Sequence, residues 1–311
     1  MVQTAAFPPY ALLTAARNEA AVIEKTLRSV IAQTVPPSRW IIVSDRSEDD
    51  TDSIVLRYAA AHTWITLVRR TAGGRRSVGS KVACLNQALA YLNEPCQYIG
   101  SLDADVSFDP DYFENLLSLM ESDHSIGLAG GHIWDKTPDG YKPQLISDCS
   151  VAGAVQFFRC ACFAQVGPWR PFPFGGEDAA LEITARFLGW RVLTVRSLKV
   201  LHHRPVGMGT RSTLAFRLRQ GRMDWSLGYD PVFEAARCTR RLSERPFLIG
   251  AALRWVGYLA AAVRGEPVLL PAPVVRFLRA EQRRRMCAGS EPAGRISKDE
   301  EHELCAVSAG S

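Results

Sequence analysis

Tyr98-Ile99-Gly100-Ser101-Leu102-Asp103-Ala104-Asp105 decides how the chain is read: an apolar strand over Tyr98–Leu102 runs directly into two carboxylates one residue apart. Acids at a strand end face a cleft only if the sheet around them is of the right kind, and the residues upstream say what kind it is. Tyr10–Ala16 is an apolar run that ends in Arg17-Asn18-Glu19. Ala20–Gln33 then spaces Val22, Ile23, Leu27, Val30 and Ile31 as one face of a helix. Trp40–Val43 is a second short strand, closed by the polar Ser44–Asp52, and Ile54–Ala61 a second helix. Trp64–Val68, a Gly- and Arg-rich loop over Thr71–Ser80, and a helix over Lys81–Leu92 lead to Tyr98–Leu102. Apolar strands alternating with helices predict a mostly parallel sheet covered on both faces. In such sheets ligands sit outside the carboxyl ends of the strands. Asn18 and Glu19, then Asp45, then Asp103 and Asp105 all fall there.

Downstream the pattern is mixed. Asp111–Met120 and Glu177–Leu188 read as helices, the second stopped by Gly189. Ile126–Ile133, Val151–Phe158, Trp190–Val195 and Leu198–Leu201 read as strands. The expected organisation is an α/β catalytic domain over 1–205, a basic helical extension over 206–286 and a disordered tail over 287–311, where core-forming residues are few.

Charge is unevenly spread over the 311 residues. The net charge is +5, yet His202–Arg285 holds sixteen Arg, no Lys and six acids, a surplus of ten. Such a third of the chain suits anionic phosphates or an anionic membrane, or is simply a solvated face. Eight Cys without a Cys-x-x-Cys pair, and no basic-then-apolar leader at the start, suggest reduced thiols in a cytoplasmic protein. No run reaches about 18 apolar residues, so no spanning helix is expected. The nearest is Phe247–Val263, interrupted by Arg254. It reads either as an interfacial helix whose Arg head reaches lipid phosphates or as a core helix.

Four further stretches carry chemistry. Asp103 and Asp105 offer hard oxygen ligands of the kind that hold Mg²⁺ or Mn²⁺ together with substrate phosphates; the bland alternative is a solvated acidic turn. Asp45 can accept from a base or ribose, while Asp49 and Thr51 read as helix caps. Gly73–Lys81 puts glycines and cations before a helix start, as phosphate sites do and as mobile surface loops also do. Gly175-Gly176-Glu177-Asp178 places two acids at a helix N-terminus, where the dipole favours the ionised form. That arrangement supplies either a base or a cap.

Together and in this order these motifs resemble family 2 glycosyltransferases of GT-A fold, over about Ala11 to His203. Thr14-Ala15-Ala16-Arg17-Asn18-Glu19 and Ile42-Val43-Ser44-Asp45 resemble the nucleotide-binding strand ends, although Ser44 stands where a first acid is usual. Lys81-Val82-Ala83-Cys84-Leu85-Asn86 is similar to the phosphate-side helix start, and Asp103-Ala104-Asp105 to the metal- and ribose-binding triplet. Glu177-Asp178, with Leu181 and Gly189-Trp190, resembles the acceptor-side motif in which the second acid is the base; Thr184 stands where a basic residue is common, with Arg186 nearby.

The resemblance implies an inverting transferase that moves a sugar from a nucleotide-diphosphate sugar, UDP-sugar favoured, to a glycan or lipid-linked acceptor hydroxyl. Donor contacts fall to Ala16, Asn18, Glu19, Asp45, Lys81, Asp103 and Asp105. Mn²⁺ or Mg²⁺ falls to Asp105, Asp103 and His202, the last preferred to His203, and catalysis to Asp178 with Glu177. The basic C-terminal third and the apolar stretch Phe247–Val263 suggest peripheral contact with an anionic membrane, and no nucleic-acid partner is expected. Gln220-Gly221-Arg222-Met223-Asp224-Trp225 has the wrong spacing for a processive synthase. A sugar nucleotidyltransferase needs glycine after the first strand, and Ala15–Glu19 has none. A non-catalytic binding protein of this fold would have lost Asp105 or Asp178, and both are present.

Overall fold

The computed structural model describes residues 7–71, 79–204, 213–242 and 246–287. The Gly-rich loop and the expected tail fall mostly outside these residues.

The first half alternates as its hydrophobic pattern dictates: β1 (Tyr10–Ala16), α1 (Ile23–Ile31), β2 (Arg39–Asp45), α2 (Thr51–Ala61), β3 (Ile65–Arg70), α3 (Ser80–Ala90) and β4 (Tyr98–Leu102). Then come β5 (Val106–Phe108), α4 (Tyr112–Ser122), β6 (Ile126–Thr137), β7 (Gly140–Pro143), β8 (Val155–Arg159), α5 (Cys160–Val166), α6 (Glu177–Phe187) and β9 (Arg191–His202). Four helices close the described chain: α7 (Thr213–Ser226), α8 (Pro231–Arg240), α9 (Ile249–Val263) and α10 (Ala272–Cys287).

The strands form one sheet in the order β3-β2-β1-β4-β8-β6-β9-β5, with β7 on β6. β3, β2, β1 and β4 are parallel. Beyond β4 the sheet is mixed: β8 is antiparallel to β4 and β6, while β9 is parallel to β6. Successive strand residues point to opposite faces. Leu12, Trp40 and Ile42 therefore enter one core with α1, α2 and α4, and Leu13, Ile41 and Val43 a second with α3, α5 and α6.

Several elements differ from the sequence reading for local reasons. The two strands expected around Arg196-Ser197 are one, β9, because a register shift opposite Gly131-His132 absorbs the polar residues as a bulge. β5 and β7 are too short to show periodicity, and α5 follows β8 without a break. Asp49 and Thr51 do not cap α2 in the ordinary way. Thr51 N–H and the Ala20 N–H both bond Asp49, while Glu19 N–H bonds Thr51 Oγ1 at 2.7 Å, so the pair ties the β1 loop to the β2 loop.

The last four helices pack on one another, and α10 and the end of α7 join them to α6. Phe172, Ala180 and Ile183 share a core with Leu227, Val274 and Leu278. Arg186 bonds Glu281 of α10 at 3.1 Å. Arg254 corrects one expectation: it is buried, so its head cannot reach lipid phosphates.

Candidate active site

The parallel strands end at one edge, and their final residues and loops supply the polar groups. Ala16 closes β1 with its methyl in the core, leaving its main chain to the loop. Asn18 follows in a left-handed conformation (φ 54°), which Asn tolerates better than most residues. Its side-chain oxygen accepts from Glu48 N–H at 2.8 Å and its N–H donates to Ser47 Oγ. Glu19 pairs with Arg204 at 2.6 Å, and Arg204 also donates to the Asn18 carbonyl. Asp45, the last residue of β2, is nearly inaccessible and gripped by Arg46 (3.0 Å), Arg70 (3.1 Å) and Arg17 (3.5 Å). Burial alone would raise its pKa, but these three guanidinium groups outweigh burial and hold it below the usual carboxylate range. Asp45 therefore presents to the loop a carboxylate already engaged with three arginines.

After β4 the two acids of the triplet diverge. Asp103 turns to Lys81 at the start of α3, with Nζ and Oδ1 2.5 Å apart. Lys81 also donates to the Gly153 carbonyl at 3.2 Å. Burial works against the ammonium, yet the charge of Asp103, with Asp178 and Glu177 adding to it, raises its pKa. Asp105 turns the other way, to His202: Oδ2 and Nε2 are 3.3 Å apart. Burial would raise the Asp105 pKa, but the imidazole, Arg204 and Lys81 lower it overall. His202 is pushed up to about 10, because Asp105 and Asp135 together outweigh its burial. Asp135, on β6, bonds His202 Nδ1 at 2.8 Å. The adjacent His203 is engaged on both nitrogens, by Ser107 at 2.8 Å and Tyr141 at 2.7 Å, and burial drops its pKa to about 4.

The acids of α6 approach from the other side. Gly175 and Gly176 both have positive φ (86° and 97°), which lets the chain reverse immediately before the helix. Glu177 and Asp178 occupy the first turn, where the dipole stabilises negative charge. Glu177 is largely buried, its Oε2 has no hydrogen-bond partner, and burial followed by the nearby Asp178 charge raises its pKa. Asp178 packs onto Gly153 so closely that a Cβ there would fall 2.2 Å from Oδ2. One turn on, Glu182 accepts from Ser150 Oγ (2.8 Å) and Val151 N–H (2.9 Å), fixing the segment that carries Gly153.

Lys81, Asp103, Gly153 and Asp178 thus meet at one point, and Asp105, His202 and Asp135 form a second group. Asn18, Glu19 and Asp45 line the loops beyond. Asp135, Gly153 and Arg204 carried no sequence signal, because only strand register and loop closure bring them here. Among the described residues no cluster of three His, Cys, Asp or Glu side chains could hold an ion. Asp105 and His202 nevertheless fit a cation that completes its coordination with substrate: an ionised carboxylate faces Nε2 of the ring, a cation bound between them would take the place of the Nε2 proton, and Nδ1 stays bonded to the Asp135 carboxylate, as in metal-bound His. Two protein ligands leave room for phosphate oxygens, the pattern hard cations take with nucleotides.

Known proteins define the class first. A mannosyltransferase from Pyrobaculum calidifontis, PcManGT, solved in complex with GDP-Man and Mn²⁺, superposes with a TM-score of 0.55 at 18% identity, covering 97% of this chain and 86% of that one. The fold is the GT-A type of α/β architecture. Residues 12–165 match the profile of glycosyl transferase family 2, and the chain belongs to that family. The beta-monoglucosyldiacylglycerol synthase of Synechocystis sp. is 31% identical over 122 residues, 38% of this chain and 24% of that one. Glucomannan 4-beta-mannosyltransferase 1 of Oryza sativa subsp. japonica is 26% identical over 256 residues, 74% of this chain and 47% of that one. The chain therefore spans about a quarter and about half the length of these two relatives.

Proposed function

We propose that the protein is an inverting, metal-dependent glycosyltransferase that moves a sugar from a nucleotide-diphosphate donor to an acceptor hydroxyl, in polysaccharide or glycolipid synthesis. The observation that carries this reading is the convergence at Gly153. Its carbonyl holds Lys81, Lys81 holds Asp103, and its missing side chain makes space for Asp178. A cation suited to a diphosphate, an acid suited to ribose and a carboxylate suited to a proton are gathered around one backbone residue.

In this reading Asn18, Glu19 and the main chain of Ala16 border the base and ribose, with Asp45 setting the arginines around them. Asp103 contacts ribose, and Lys81 neutralises charge on the departing diphosphate. Mn²⁺ or Mg²⁺ would be held by Asp105 and His202, with Asp103 reaching it through water, and would supply further neutralisation of the leaving group. Asp178 accepts the proton of the acceptor hydroxyl as its oxygen bonds to the anomeric carbon. The glycosidic bond breaks on the opposite face, the diphosphate leaves with the bonding pair, and the configuration inverts. Glu177, buried beside Asp178, keeps a second acid near the base. Residues 1–205 form the catalytic domain, and 206–286 an extension that buttresses α6. UDP-sugars are the first donors to test, and GDP-sugars the second, since PcManGT binds GDP-Man. Glycans and lipid-linked molecules are the acceptor classes to test.

Asp178→Asn provides the test. With a donor found by thermal shift in Mn²⁺, turnover should fall by about 10²–10⁴-fold while donor affinity is kept. Wild-type turnover in the variant, or a product that keeps the donor's anomeric configuration, overturns the mechanism.

A further inference from the structure

The fifteen residues of α9 carry a single charge, Arg254. In the fold that charge points inward. Arg254 Nε donates to Asp224 at 2.7 Å and to Glu234 at 3.0 Å. Gly250, Ala251, Gly257, Tyr258 and Ala261 share its side and are buried. Two glycines allow α7 and α9 to touch. A Cβ on Gly257 would fall 2.1 Å from the Leu218 carbonyl oxygen, and one on Gly221 1.8 Å from that of Arg254.

The opposite side is apolar throughout. Ile249, Ala252, Val256, Leu259 and Val263 recur three and four residues apart, so they align in one stripe. Phe247 and Leu248 extend it before the helix begins. All seven are exposed, Val256 at 50% and Val263 at 88%. A helix on the surface of a globular domain ordinarily turns a polar face outward, and α9 has none.

The charges around the stripe say what it meets. Asp224, Asp230, Glu234, Glu266 and Glu281 are the described acids of the extension, and each is bonded to an arginine. The surplus of positive charge is left to the surface. Arg264 is exposed at the end of α9, and Arg240 is exposed at the end of α8. A bond from Leu248 N–H to the Leu242 carbonyl, 3.1 Å, draws the end of α8 to the start of α9. An apolar stripe with a cation near each end, and no free acid beside it among the described residues, complements an anionic lipid surface. A second copy docked on this face would set arginine against arginine.

We propose that the outward face of α9 docks peripherally on an anionic lipid surface, the stripe lying among the headgroups and Arg240 and Arg264 on the phosphates. At fifteen residues α9 is too short to span. The inference is independent of the sugar-transfer reading but bears on it. Met223 of α7 and Leu227 just after it lie against Gly176, the residue before Glu177 and Asp178, and Arg222 stacks on Phe174 at 4.0 Å. A lipid surface on α9 is thus one helix away from the acceptor-side acids, a placement that suits a lipid-linked acceptor.

The test is co-sedimentation of the full chain with phosphatidylcholine vesicles, with and without phosphatidylglycerol. The protein should pellet with the anionic vesicles alone, less as salt rises. Val256→Asp combined with Leu259→Asp should weaken binding more than about tenfold while thermal melting is unchanged, since both side chains are exposed. Arg264→Gln should weaken it about fivefold, the effect of about one surface charge. Equal binding to neutral vesicles, or binding indifferent to the double substitution, overturns the proposal. So does a dimer in sedimentation velocity without lipid that the double substitution dissolves, which would make a second copy the occupant. Sugar transfer to a soluble acceptor, measured without vesicles, keeps the failure of either reading separate from the other.

Discussion

Adding one methyl group at Gly153 tests the arrangement of the whole site. The Cβ of Gly153→Ala would stand 2.2 Å from Asp178 Oδ2, 2.8 Å from its Cγ and 2.9 Å from its Cβ. Ordinary contact begins at 3.4 Å, so the carboxylate oxygen must retreat by roughly 1.2 Å. The main chain at Gly153 is poorly placed to yield. Its carbonyl holds Lys81 (3.2 Å), Ala154 O accepts from Asp103 N–H (2.9 Å), and Val151 N–H is bonded to Glu182 (2.9 Å). Asp178 is the freer partner, and its bond from Ala179 N–H (2.8 Å) is what it gives up by turning away. A catalytic group misplaced by about 1 Å can cost about 10²-fold. Turnover should therefore fall about 100-fold while donor affinity and melting temperature stay close to wild type. The assay is release of nucleoside diphosphate in the presence of acceptor, with donor binding followed by calorimetry. A second measurement isolates the cause: on an Asp178→Asn background, Gly153→Ala should add almost nothing, because the two act through one group. Near-wild-type turnover in Gly153→Ala, or a full additional loss in the double variant, would refute the placement of the base.

Asp105→Ala should abolish the enhancement of donor binding by Mn²⁺ while leaving weak metal-independent binding, read by calorimetry with and without the ion; undiminished enhancement would remove Asp105 from the metal site. Glu182 has its pKa raised to about 7, burial outweighing Arg186 and the bonds from Val151 and Ser150. An acid with a raised pKa holds its proton more tightly when folded, so its contribution to stability is present below the ordinary carboxylate range and lost as pH rises through about 7. Glu182→Gln should thus flatten the decline between pH 5 and 8 by up to about 3 kcal/mol in denaturant titrations, and parallel pH profiles would contradict the burial argument. Arg254→Met leaves Asp224 and Glu234 buried with Arg237 as their remaining cation, and should cost about 3–5 kcal/mol in urea unfolding. A loss under about 1 kcal/mol would rank the network with surface pairs.

The parallel half of the fold was legible because burial on two faces leaves apolar runs that composition alone exposes. β1 and β4 span the residues their apolar runs predict, and β2 and β3 extend a residue or two beyond, to the acids and arginines that follow. The mixed half was harder, since pairing order is not written locally. Nothing near Trp134-Asp135-Lys136 marks Asp135 for the site. The β6–β9 register sets it opposite His202, 67 residues away, and that pairing alone brings the carboxylate to the imidazole. Gly153 was silent for a related reason, being a glycine whose significance lies in what packs on it from α6. Asp45 shows a third limit: a strand-end acid was evident, but the three arginines that engage it come from three different segments.

Arg254 carries the same lesson into the extension. In the sequence, a charge in the middle of Phe247–Val263 reads as an interruption of an apolar helix, tolerable at a membrane interface because its head could rise to the phosphates. The fold reverses that logic. Asp224 on α7 and Glu234 on α8 draw the guanidinium inward, glycines at 221 and 257 let the helices close over it, and the rest of α9 is left without a polar face. The same pairing decides where the charge surplus of the C-terminal third is displayed. Its acids are few, and the described ones are all paired with arginines, which leaves Arg240 and Arg264 exposed beside α9. The inward turn of Arg254 thus leaves α9 an apolar outer face, and exposed Arg240 and Arg264 set positive charge near its two ends.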